Sequence, residues 1–132
     1  MLPIVPVLRA DDTVIHIRGH VHGIYTVAPI CVRYRQFTSA GWTVRCKQTG
    51  MSVAKFSNLR IARQFADFLM REYGDISVSL LNSFNRQETE EDAALLDEIN
   101  VRSMHFTRLK KGDIIQYIPI PDEYQVEVAR KV

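Results

Sequence analysis

Residues 30–47 read ICVRYRQFTSAGWTVRCK, and the alternation on either side of TSAG decides the architecture. Before it, Ile30, Val32 and Tyr34 fall on one side of an extended chain and Cys31, Arg33 and Arg35 on the other. After it, Trp42, Val44 and Cys46 share a side opposite Thr43, Arg45 and Lys47. A period of two is the signature of a half-buried strand. Small and polar residues ending in glycine favour a turn, so TSAG at 38–41 predicts a hairpin. Paired in that way, the two strands make a sheet with one apolar face. Its other face carries Arg33, Arg35, Arg45 and Lys47.

Moving toward the N-terminus, residues 15–23 read IHIRGHVHG. Ile15, Ile17 and Val21 alternate with His16, Arg18, His20 and His22, which predicts a first strand over 13–18 that extends toward Val21. Gly19 and Gly23 permit a bulge and a turn. This strand adds Arg18 and His20, with His16, to the cationic side. The second strand spans 24–37, with an edge or bend at Pro29, because proline cannot donate to a ladder.

Moving toward the C-terminus, QTG at 48–50 turns the chain into a short strand, MSVAKF. A helix over 58–73 follows. Leu59, Ala62, Phe65, Ala66, Leu69 and Tyr73 recur at three- and four-residue steps, with Arg60, Arg63, Asp67 and Arg71 opposite. Ser57 or Asn58 supplies the cap and Gly74 the stop. Residues 75–86 fit either a strand or part of a broken helix. A second helix is predicted over 89–100, where Thr89 and Asp92 make a capping pair and acids fill the first turn. The remainder reads as strand, turn at Lys111–Gly112, strand and a final extended segment, with Pro119 and Pro121 favouring an edge. The expected fold is α+β over a single domain, 1–132. It comprises an antiparallel β-meander with one amphipathic helix packed on a face, a second helix and C-terminal strands.

At 132 residues the chain suffices for one core. No apolar run approaches the roughly 18 residues of a membrane span. The start, MLPIVPVLRADD, lacks the basic residues of a signal peptide. Cys31 and Cys46 form no CxxC pair, so free thiols in a reducing cytoplasmic compartment are expected. Charge is uneven. Residues 1–86 hold eleven Lys or Arg against five Asp or Glu, whereas residues 87–132 hold six against ten. Two surfaces of different character follow.

Three chemistries compete for the polar residues. His20 and His22 form an HxH pair about 7 Å apart along a strand, a spacing at which two imidazoles hold one metal ion. His16, His105, Asp11 or Asp12 are the further ligands available, none at a diagnostic spacing, so a solvated strand face is the simpler reading and no metal or cofactor is expected. Cys31 shares the side of Arg33 and Arg35, where a thiol would be exposed and acidified. No flanking signature makes it a catalytic nucleophile. No phosphate-binding loop is present, since QTGMS and KKGD carry one glycine each. The acidic run ETEEDAALLDE reads as a solvated helix face or as a docking surface for a basic partner.

The layout over residues 24–73 is similar in outline to the arm-binding domains of integrases and to plant-type AP2 domains. The likeness lies in pattern, a meander with a packing helix and a basic outer face, and no motif aligns residue by residue. It implies a sheet that contacts DNA. Together with the charge pattern, this predicts a small non-catalytic protein whose basic sheet face meets nucleic acid or a nucleic-acid-handling complex through Arg18, His20, Arg33, Arg35, Arg45 and Lys47. A protein–protein regulator or inhibitor that docks through charged surfaces is the second expectation. A small metal- or Cys/His-dependent enzyme is the third. No membrane partner is expected.

Overall fold

A computed structural model describes residues 1–31, 37–110, 112–113 and 116–126. The fold is α+β, with two antiparallel sheets and three helices. The first sheet is a strand pair, β1 (Ile4–Leu8) with β2 (Val14–Arg18). The second runs in the order β3 (His20–His22), β4 (Tyr25–Cys31), β5 (Phe37–Cys46) and β6 (Ser52–Phe56). A short C-terminal strand, β7 (Tyr117–Pro119), pairs with the start of β5.

Alternation correctly assigns sides along β5. Val44 and Cys46 are buried, and Val44 joins Tyr25, Val27, Ala54, Phe56, Phe65, Ala66 and Leu69 in one cluster that includes helix α1 (Leu59–Glu72). Trp42 packs at the edge of that cluster. Asn58 caps α1, its side-chain oxygen accepting the Ile61 amide at 3.2 Å. Gly74 follows with φ +62°, the left-handed conformation that suits glycine beyond a helix end. Helix α3 (Glu90–Met104) starts on a complete capping box between Thr89 and Asp92. Phe106, just past its end, stacks on Phe65 at 5.2 Å and ties the end of α3 to α1.

Two expectations are corrected and one open choice is decided. The TSAG stretch is not a turn, because it lies inside β5. Pro29 pairs with Trp42 and Ile30 with Ser39, so Ala40 and Gly41 form an irregularity in the β4–β5 ladder. Gly41 has no space for a side chain there: a Cβ would sit 2.6 Å from Ile30 Cδ1 and 2.9 Å from the Phe56 carbonyl oxygen. The stretch over 15–23 is not one strand. The chain leaves the first sheet at Arg18 and enters the second at His20. Between them the Gly19 amide donates to the Pro3 carbonyl at 3.0 Å. Residues 75–86 resolve as a helix, α2 (Ser77–Phe84). Past α3, the expected turn is present around Gly112, where Asp113 donates back to the Lys110 carbonyl at 3.1 Å.

The largest surprise is a second layer. The β1–β2 pair lies across the face of β4 and β5 that α1 does not cover. Val5, Val7 and Ile17 form a buried cluster with Ala28 of β4. Thr26, Thr43 and Arg45, on the same side as Ala28, are buried as well. The sheet is therefore covered on both faces over this region.

Candidate functional site

The four expected contact residues that are described, Arg18, His20, Arg45 and Lys47, do not share one open face. Arg45 is 3% exposed. Its guanidinium is buried beside Cys31 and Nη2 donates to the Pro29 carbonyl at 3.3 Å. Burial lowers its pKa to about 10, opposed by the nearby Cys31 thiol. Lys47 is exposed at the end of β5. Arg18 is half-buried on β2 and its Nη1 donates to the Leu2 carbonyl at 2.7 Å. Arg33 and Arg35 lie outside the described residues. Cys31, expected to be exposed and acidified, is largely enclosed. Burial pushes its thiol up in spite of Arg45 and Arg9. Both cysteines are free, as expected.

His20 and His22 turn toward the α1 side of the sheet, opposite the buried Val27 and Tyr25. There they meet side chains from distant parts of the chain. The His22 ring is held at both nitrogens. Arg63 Nε donates to Nε2 at 3.2 Å, so that nitrogen carries no proton, and Nδ1–H donates to Asp67 at 2.7 Å. His20 Nε2 lies 2.9 Å from the Tyr124 hydroxyl. Burial lowers the His20 pKa, helped by Arg63 and His22 and opposed by Glu123. Tyr124 is buried in a short 3₁₀ turn, Asp122–Tyr124, and packs edge-on against Trp42 at 5.1 Å. Beside this cluster lies a cavity of about 430 Å³ lined by Met1, Leu2, Arg18, Asp122, Glu123 and Gln125.

Every partner of the two histidines was missed from the sequence. Arg63 and Asp67 occupy the polar side of α1, which looked purely solvated, and Tyr124 lies 104 positions from His20. Spacing carries no signal for such contacts. Chemically, the cluster is a latch. It joins β3, α1 and the C-terminal turn through side chains that satisfy one another. No group of three or more His, Cys, Asp or Glu is placed to hold a metal ion among the described residues.

The helical hairpin at the other end of the molecule differs in character. Asp92 at the start of α3 accepts from Ser79 Oγ at 2.8 Å and Asn82 Nδ2 at 3.0 Å, which docks α2 on α3. This arrangement leaves Val78, Leu81 and Phe84 of α2 in solvent at 69%, 43% and 49% exposure. Their spacing of three makes them neighbours on one helix face. Val101 and Met104 are likewise exposed on α3. Glu88, just before α3, and Glu90, Glu91, Asp97 and Glu98 on α3 are exposed as well.

The chain matches no family model, no curated protein and no solved structure. No helix among the described residues is long and apolar enough to cross a membrane.

Proposed function

We propose that this is a non-catalytic binding protein that docks on a partner protein through the α2–α3 hairpin. The observation that carries this reading is the exposed apolar row Val78, Leu81 and Phe84. Neighbouring exposed apolar side chains are the usual mark of a protein contact surface. The acidic residues at 88–98 select the occupant: a partner segment with apolar anchors and a basic rim. Two free thiols fit a reducing, cytoplasmic setting for such a protein.

The test is affinity capture from the native host after nuclease treatment, comparing wild type with the double variant Leu81→Glu, Phe84→Glu. A defined protein retained by wild type and lost by the double variant is the expected result. Equal retention by both forms contradicts the proposal.

Nucleic-acid binding is the second reading, carried by cations that are exposed. Arg60, Arg63 and Arg71 are exposed on α1, and Lys47 and Lys55 on the sheet. These are phosphate-type contacts without base readout. Capture abolished by nuclease, and binding that falls steeply with added salt, would select it over the first reading.

A further inference from the structure

The layer between β1–β2 and the main sheet holds polar atoms that nothing satisfies. Thr26 Oγ1, Thr43 Oγ1 and Arg45 Nη1 are shielded from solvent and have no hydrogen-bond partner among the described residues. Thr26 stands directly opposite Arg45 across the β4–β5 ladder, and Thr43 stands opposite Ala28. Alternation therefore puts all three side chains on the same covered face. The Arg45 side chain runs back along β5, since Nη2 reaches the carbonyl of Pro29, whose cross-strand partner is Trp42. Its guanidinium thus ends over the stretch that includes Thr43. All three groups can donate, and among the described residues Arg45 has the Cys31 thiol as its titratable neighbour and no ion pair with a carboxylate. A buried guanidinium with no counter-charge is among the most costly arrangements in a fold.

We propose that Arg45 Nη1 and Thr43 Oγ1 form a buried site for one monatomic inorganic anion of halide size, held between the two sheets, with Thr26 Oγ1 farther along the same covered face. The anion supplies the missing negative charge and accepts from the free donors. The two layers are in contact beside this row, at Ala28, which pairs with Thr43 across the ladder. At Gly19 an added Cβ would lie 2.9 Å from Val5 Cγ2 and 3.1 Å from Ala28 Cβ.

Thermal unfolding of the whole protein tests this, in sodium chloride or bromide against sodium gluconate at matched ionic strength. Wild type should gain stability with chloride and bromide along a saturating curve, as expected for a ligand of the folded state. Arg45→Met should lose that gain, and Lys47→Met should keep it. If Arg45→Met does not fold, Thr43→Val serves. It should raise the halide concentration at half effect about tenfold, the loss of one hydrogen bond to a charged group. Anomalous scattering from crystals grown in bromide should place a peak beside Nη1. The proposal is overturned by a wild-type midpoint that ignores the anion, by the same halide gain in Arg45→Met, by an unshifted curve in Thr43→Val, or by a water only at that position.

Discussion

Gly19 sits where the chain passes from one sheet to the other, packed against Val5 and Ala28. Gly19→Ala forces a methyl group into that contact. It should cost about 1–3 kcal/mol, the usual penalty of overpacking, measured by denaturant unfolding. A neutral effect would mean that β1–β2 does not close on the sheet. His20 gives a residue-level pH dependence. Its pKa in the folded protein lies below the unfolded value near 6.5 because burial disfavours the charged ring. The unfolded chain then binds more protons over that window, so stability falls as pH drops through about 6.5 toward the lowered folded value. His20→Gln should flatten this slope in unfolding midpoints compared at pH 7.5 and 5.5. Neither residue's role was legible beforehand. Alternation assigns His20 to a side of the strand, but the hydroxyl that meets it comes from the far end of the chain.

Among the elements, α1 and α3 were readable because their ends carry local chemistry. Asn58 accepts the Ile61 amide, and Thr89 exchanges hydrogen bonds with Asp92. Helix α2 was ambiguous because no side chain caps it at Ile76. The nearest signal is Asp75, whose carboxylate accepts the Ser77 amide at 2.8 Å. Thr89→Ala should cost about 1 kcal/mol of stability, the usual loss of an N-cap. The Asp92 carboxyl is held down to about 2 by hydrogen bonds from the Thr89 amide, Asn82 and Ser79. Its contribution is full above the unfolded carboxyl value of about 3.9 and is lost as pH falls through about 2. Acid titration followed by circular dichroism should show α3 melting in that window. In Asp92→Asn the same transition should be shallower.

For the whole molecule, the α+β class and the packing of α1 were legible from periodicity alone. The cover on the opposite face was not. Alternation shows that Thr43 and Arg45 point away from Trp42 and Val44, and it is silent on whether another layer lies above them. Strand β1 was not anticipated, because a proline cannot donate to a ladder, yet Pro6 pairs with His16 in the first sheet. Arg45 is buried on that covered face, and the α2–α3 hairpin carries the exposed apolar row on which binding is proposed. Because Leu81 and Phe84 stand in solvent, Leu81→Glu with Phe84→Glu should leave folding stability within about 0.5 kcal/mol of wild type by denaturant unfolding. The most direct measurement is site-specific photo-cross-linking in the native host, with a photoreactive residue at position 84 in one protein and at position 47 in another. A discrete protein adduct from position 84 that is absent from position 47 is the predicted result. Adducts to nucleic acid, or to a protein from position 47 alone, would contradict the account.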